Sequence, residues 1–188
     1  METIMGKLPA SPLEVRAAAV LFLLLLGPAN FFGAWQVKNF ASFTPAGVAA
    51  TVAPGGPGES DTSAASTSSA TEQPISLAAL DQPRHHIEQK LLVEDSHVHI
   101  PVYAMIAALL SLVIFGLRLS SRVRVLLVAA AFAAPFLDFA GLWGAHLFPN
   151  AGVAFGTVAV VGGFAMGAVY TVVLFVTLYQ CGLRPVKE

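Results

Sequence analysis

The run GVAFGTVAVVGGFAMGAVYTVVLF, residues 152–175, carries no charged side chain from end to end. A helix needs about 20 mainly apolar residues to cross a hydrocarbon core of about 30 Å. This run meets that length, and three earlier runs meet it as well. The spans are read over residues 17–37, 97–118, 124–146 and 152–180, which predicts an all-α transmembrane protein built as a four-helix membrane bundle.

The composition agrees. Of 188 residues, 56% are hydrophobic and 11% charged, against roughly 25% charged in an ordinary soluble domain. Ten Lys and Arg against eleven Asp and Glu leave a formal charge of -1, which excludes an extended basic surface for nucleic acid. The single cysteine, Cys181, has no partner for an internal disulfide. The bilayer is the first partner that the composition implies.

Basic residues give the orientation. Lys7 and Arg16 precede the first span, Arg118, Arg122 and Arg124 crowd the turn between the second and third, and Arg184 and Lys187 follow the fourth. Only Lys38, Arg84 and Lys90 fall in the long segment between the first two spans. The positive-inside rule then predicts both termini (1–16 and 181–188) and the 119–123 turn in the cytoplasm, with the long segment and the 147–151 turn outside. The first span also has features of a signal peptide, with basic residues before a Leu-rich run and a break at Gly27-Pro28. No good small-x-small cleavage site follows, because Phe31, Phe32 and Trp35 are bulky and continue the apolar stretch, so the span is read as retained.

The outer segment divides in two. Residues 38–74 include APGGPGESDTSAASTSSATEQP (53–74), which buries too little to offset its ordering entropy and reads as a flexible tether. Residues 75–96, ISLAALDQPRHHIEQKLLVEDS, hold a surface-helix candidate, with Ile87, Leu91 and Leu92 along one apolar edge.

Within the spans, Gly152 and Gly156, then Gly163 and Gly167, recur four residues apart. Small residues at that spacing let helices approach closely in lipid, and AAAFAAP (129–135) offers a complementary small face. Pro28 and Pro135 sit inside spans, where each bends the helix and frees an upstream carbonyl.

Polar residues that are costly in hydrocarbon mark the candidate site. Asp138 is foremost, since an intramembrane carboxylate usually faces a partner or a cavity; its alternative role is to fix helix packing through a hydrogen bond. His97 and His99 open the second span in EDSHVHIPVYAM. If that opening is extended, alternate side chains point the same way, with Asp95 placed to hold an imidazole tautomer. Tyr103 lies one turn inward. His146, at the outer end of the third span, is about 12 Å above Asp138 and roughly 80° from it in helical phase. With Asn30 of the first span, these residues are expected to line one outward-facing pocket, to which His85 and His86 are additional candidate ligands.

Imidazoles suit copper or another transition metal, and a b-type haem needs one or two axial histidines. On that reading His97, His99 and His146 are the ligands, while Asp138, Asp95, Tyr103 and Asn30 support them. No C-x-x-C-H, H-E-x-x-H, G-x-S-x-G or phosphate-cradling loop occurs. An inner-half acidic residue that would complete a proton path is also missing, and the reading favours a non-enzymatic protein.

The His97–His99 opening, APFLDFAGLW (134–143) around Asp138, and the Gly-rich fourth span ending VLFVTLYQ (173–180) resemble a family of small bacterial inner-membrane proteins. That family pairs a His-x-His opening of one helix with a Leu-Asp-Phe-type segment in the next. The resemblance covers about the last half of the chain and implies four helices in a bacterial inner membrane, without an activity. The Pro/Gly/Ser-rich tether and Pro101 depart from the family pattern. The His-x-His opening also resembles, over a short stretch, that of haem- and copper-containing respiratory membrane proteins. Two functions follow as expectations. One is a metal- or haem-binding accessory or electron-transfer protein with its site near the outer face. The other is a non-catalytic scaffold or assembly subunit, whose Asp138 and glycine faces meet another membrane protein or a second copy.

Overall fold

A computed structural model describes residues 6–54, 87 and 89–182. Its helices are α1 (Leu13–Ala41), α2 (Pro45–Val52), α3 (Gln89–Gly116), α4 (Ser121–Leu147) and α5 (Gly152–Gly182), with short 3-10 turns at Leu8–Ala10 and Pro149–Ala151. Among the described residues, four segments, Leu13–Asn39, Gln89–Gly116, Ser121–Leu147 and Pro149–Cys181, are long and apolar enough to cross a membrane. The chain is, among the described residues, an all-α bundle of four membrane-spanning helices plus one short helix.

Two boundaries differ from the sequence reading. The stretch read as a tether from residue 38 first completes α1 and then forms α2. Thr44 caps α2 by accepting from the Gly47 N–H at 3.0 Å, and Pro45 occupies the first turn, where its missing N–H costs nothing. Between α1 and α2, Ser42 and Phe43 adopt φ of 53° and 54°. This left-handed reversal is uncommon for non-glycine residues, and it turns the chain back onto α4 and α5. There Val48, Thr51 and Val52 are buried, and Gly156 admits α2 because a Cβ at that position would strike the Pro45 backbone.

The second difference is the start of α3. It begins at Gln89, so Ser96, His97, His99 and Pro101 all lie within the helix. A buried stripe runs past the charged residues Glu94 and Asp95. Leu92 packs with Val52 and Ala145, and Ser96 accepts from the Trp143 indole at 2.8 Å.

Helices α4 and α5 form the most extensive contact in the bundle. Their backbones meet at Gly141, where a Cβ would lie 2.7 Å from the Ala159 Cα, and at Gly162, where it would lie 2.7 Å from the Ala134 carbonyl oxygen. In lipid such close packing replaces water expulsion as the force between helices. Leu23, Ile114 and Val173, all fully buried, join α1, α3 and α5 in the main core. Helices α1 and α3, in contrast, scarcely touch.

At one end of the bundle the chain ties itself together with polar contacts. The Gly6 N–H donates to the Phe115 carbonyl at 3.0 Å, and the Arg16 guanidinium donates to the Cys181 carbonyl. The Arg118 N–H donates to Gln180 Oε1 at 2.9 Å. Lys7, Arg16, Arg118, Arg122 and Arg124 therefore gather at this end, as the charge pattern implied; α2 and His146 occupy the other.

Candidate functional site

The polar residues picked from the sequence separate into two groups in space. Asp95, His99 and Tyr103 recur every four residues and so share one face of α3. His99 Nδ1 lies 2.9 Å from an Asp95 carboxylate oxygen and 2.9 Å from the Asp95 carbonyl, and its ring is 5.9 Å from that of Tyr103. Tyr103 is in turn 5.9 Å from Phe139 of α4. Asp138, next to Phe139, is within electrostatic reach of Asp95 and Tyr103. A polar strip thus runs inward from Asp95 to Asp138 between α3 and α4.

Tyr103 also lines a crevice of about 20 Å³ among all four spans, with Asn30 of α1, Ala131 and Pro135 of α4 and Tyr170 of α5. That is room for about one water. Pro135 has no N–H to offer the Ala131 carbonyl four residues earlier, which leaves this carbonyl without its helical donor. Asn30 Nδ2 donates to the Leu26 carbonyl at 2.9 Å, and the Tyr170 hydroxyl donates to the Leu23 carbonyl at 3.0 Å. Neither the Asp138 carboxyl nor the Tyr103 hydroxyl has a hydrogen-bond partner among the described residues.

His146 belongs to the second group. It is 7% exposed, and its Nδ1 lies 2.8 Å from the Val52 carbonyl. A carbonyl only accepts, so Nδ1 carries a proton there. Trp143 packs against the imidazole edge-on at 6.1 Å. His146 holds α2, while Asp138, two turns below on the same helix, is within electrostatic reach of Asp95 and Tyr103 of α3, so the two residues serve different neighbours. His97, exposed and two residues from His99, projects from a different face of α3. The extended opening that would have aligned these two imidazoles is helical. His85 and His86 lie outside the described residues. Among the described residues, no three His, Cys, Asp or Glu side chains gather closely enough to hold a metal ion.

The glycines also separate by role. Gly152 and Gly156 face α2, whereas a Cβ at Gly163 or Gly167 would meet nothing within 4 Å. The glycines that bring α4 and α5 together are Gly141 and Gly162, against backbone, and Gly144, against the Phe155 ring; neither Gly141 nor Gly144 had been singled out. The Trp143–Ser96 bond was also missed, although an indole N–H inside an apolar run signals a hidden acceptor.

Neither a curated protein nor a solved structure matches the chain. A family model does, over residues 81–187, a range that takes in α3, α4 and α5 and omits α1 and α2. Over this range the model describes a transmembrane helical domain, in keeping with the three spans found there. The chain belongs to the Aq_1264_TM family of transmembrane helical domains.

Proposed function

We propose that this protein is a non-catalytic subunit of a membrane assembly, and that a neighbouring membrane-embedded chain brings a hydrogen-bond donor to Asp138 and Tyr103. One observation carries the reading: a carboxyl on the α4 span and a phenol on the α3 span, within electrostatic reach of each other, have no hydrogen-bond partner among the described residues. An unsatisfied polar group in hydrocarbon costs several kcal/mol, and intramembrane carboxylates are rarely kept without a counterpart. The open Gly163–Gly167 face of α5 supports the same reading, because small residues with free space above them admit a second helix. The basic end, with Lys7, Arg118, Arg122 and Arg124, supports cytoplasmic termini. The family resemblance supports a bacterial inner membrane.

The test is photo-cross-linking in native membranes, with a reactive residue at position 106, which lines the crevice, and at position 126 on the exposed side of α4. The expected result is a discrete protein adduct from position 106, abolished by Asp138→Leu, and only lipid adducts from position 126. The adduct mass distinguishes a second copy from a different chain. Lipid adducts alone from both positions overturn the reading.

A cofactor reading has one observation of its own. The Asp95 carboxylate 2.9 Å from His99 Nδ1 leaves Nε2 of that imidazole available, as in carboxylate-supported metal ligands. On that reading copper, another transition metal or haem b sits near the outer face at His99, with His97 or His146 brought to it. An absorption spectrum and Fe, Cu and Zn analysis of gently purified protein, compared with the His97→Ala/His99→Ala variant, tests it. A stoichiometric metal or Soret band lost in a folded variant puts the cofactor first; a clear spectrum under metal-replete conditions removes it.

A further inference from the structure

The poor contact between α1 and α3 leaves a groove at the basic end of the bundle. It encloses about 360 Å³ and is lined by Lys7, Leu8, Ala10, Ser11, Val15, Leu112 and Gly116. Its two ends differ chemically. Lys7 and Ser11 precede Leu13, the first residue of the apolar α1 span, and the end of such a span is where hydrocarbon gives way to headgroups. Val15 and Leu112, both exposed, lie within the spans and offer apolar walls.

The groove is built rather than incidental. The Gly6 N–H is bonded to the Phe115 carbonyl, Leu8 is 7% exposed and rests on Gly116, and the Ser11 hydroxyl donates to the Lys7 carbonyl at 3.0 Å. These contacts fix the backbone of Lys7 over the end of α3. Arg118 adjoins it, since a Cβ on Gly6 would lie 3.8 Å from the Arg118 Cγ. Among the described residues, neither Lys7 nor Arg118 has an ion-pair partner, the sole pair being His99–Asp95.

We infer that this groove binds an anionic phospholipid, its phosphate held by Lys7 and Arg118 and one acyl chain laid along Val15 and Leu112 between α1 and α3. Two unpaired cations at headgroup level, above an apolar slot open to the bilayer, match the two halves of such a molecule. A zwitterionic lipid fills the slot equally well but carries its own cation, so charge is what selects. The site lies at the opposite end of the bundle from Asp95 and His99 and does not depend on what meets Asp138.

The test uses the full chain in detergent micelles and native mass spectrometry, with phosphatidylglycerol and phosphatidylcholine added at equal concentration. The expected result is retention of one phosphatidylglycerol, preferred by at least about tenfold over phosphatidylcholine. Lys7→Ala/Arg118→Ala should reduce the preference to about twofold or less, and Lys7→Arg/Arg118→Lys should restore most of it. Leu112→Trp, which keeps both charges and obstructs the slot, should also lose the bound lipid, and its unchanged elution and thermal unfolding would show that it is folded. Excess inorganic phosphate should not displace the lipid. Equal retention of both lipids, an unchanged preference in the double alanine variant, or displacement by phosphate alone each overturns the proposal.

Discussion

The imidazole Nδ1 of His146 lies 2.8 Å from the carbonyl oxygen of Val52, so a side chain in the last turn of α4 closes the C-terminal end of α2. An eight-residue helix is too short to persist alone; packing on α4 and α5 and this cap keep it in place.

His146→Ala therefore leaves a buried carbonyl unpaired and should cost about 1–3 kcal/mol of stability. His146→Gln, which can still present an N–H, should recover part of the loss. Unfolding of the purified protein in mixed micelles checks both values, and proteolysis near α2 should become faster only in the alanine variant.

The glycines give a contrast within one pair of helices. Gly141→Ala and Gly162→Ala put a methyl into backbone of the facing helix, and overpacking of that kind costs about 1–3 kcal/mol or more. Gly163→Ala and Gly167→Ala meet open space and should change the isolated chain by no more than about 0.5 kcal/mol. If the second pair proves as damaging as the first, a further helix already covers that face in the purified protein.

Trp143, near the C-terminal end of α4, and Ser96, in the first half of α3, are joined by a 2.8 Å bond from indole Nε1 to the hydroxyl. Trp143→Phe and Ser96→Ala should each destabilise by about 0.5–1.5 kcal/mol beyond the lost volume. The double variant should cost less than their sum by about the value of the bond, which a double-mutant cycle measures.

Asp138 behaves differently from a packing carboxylate. With no hydrogen-bond partner to lose among the described residues, Asp138→Leu should leave the isolated chain as stable as before or raise its stability by up to about 3 kcal/mol. The same substitution should abolish the cross-link from position 106 in native membranes. A loss of stability in the purified chain would instead make Asp138 an internal packing residue.

Much of the architecture was legible because hydrocarbon imposes a strict rule: a segment that crosses it must be long, apolar and helical. Four runs obeyed that rule, and the arginines at their ends sorted them to one side. Helix α2 was obscured by composition, since its Pro, Gly and Ala resemble the stretch that follows. The Thr44-Pro45 pair, an N-cap residue followed by proline, was the local signal for its start. At the candidate site, direction was not legible in the sequence. Asp138 and His146 have neighbouring helical phases, but α2 inserts beside one and α3 beside the other, and no pattern within a single helix predicts where a distant segment docks. Gly141 was missed for a similar reason: its role depends on Ala159 lying opposite, which is a property of two helices together.

The Ile87 N–H donates to the Thr51 carbonyl at 2.7 Å, one residue from the carbonyl held by His146. Thr51, near the end of α2, and Ile87, just before α3, are thus held together. Joining two points that already touch places almost no demand on the length of the connection, because doubling a closed loop costs only about 0.6 kcal/mol. Evolution could lengthen, trim or replace the intervening residues while the helices keep their register. The same junction is a natural place to graft a reporter or affinity module onto this protein.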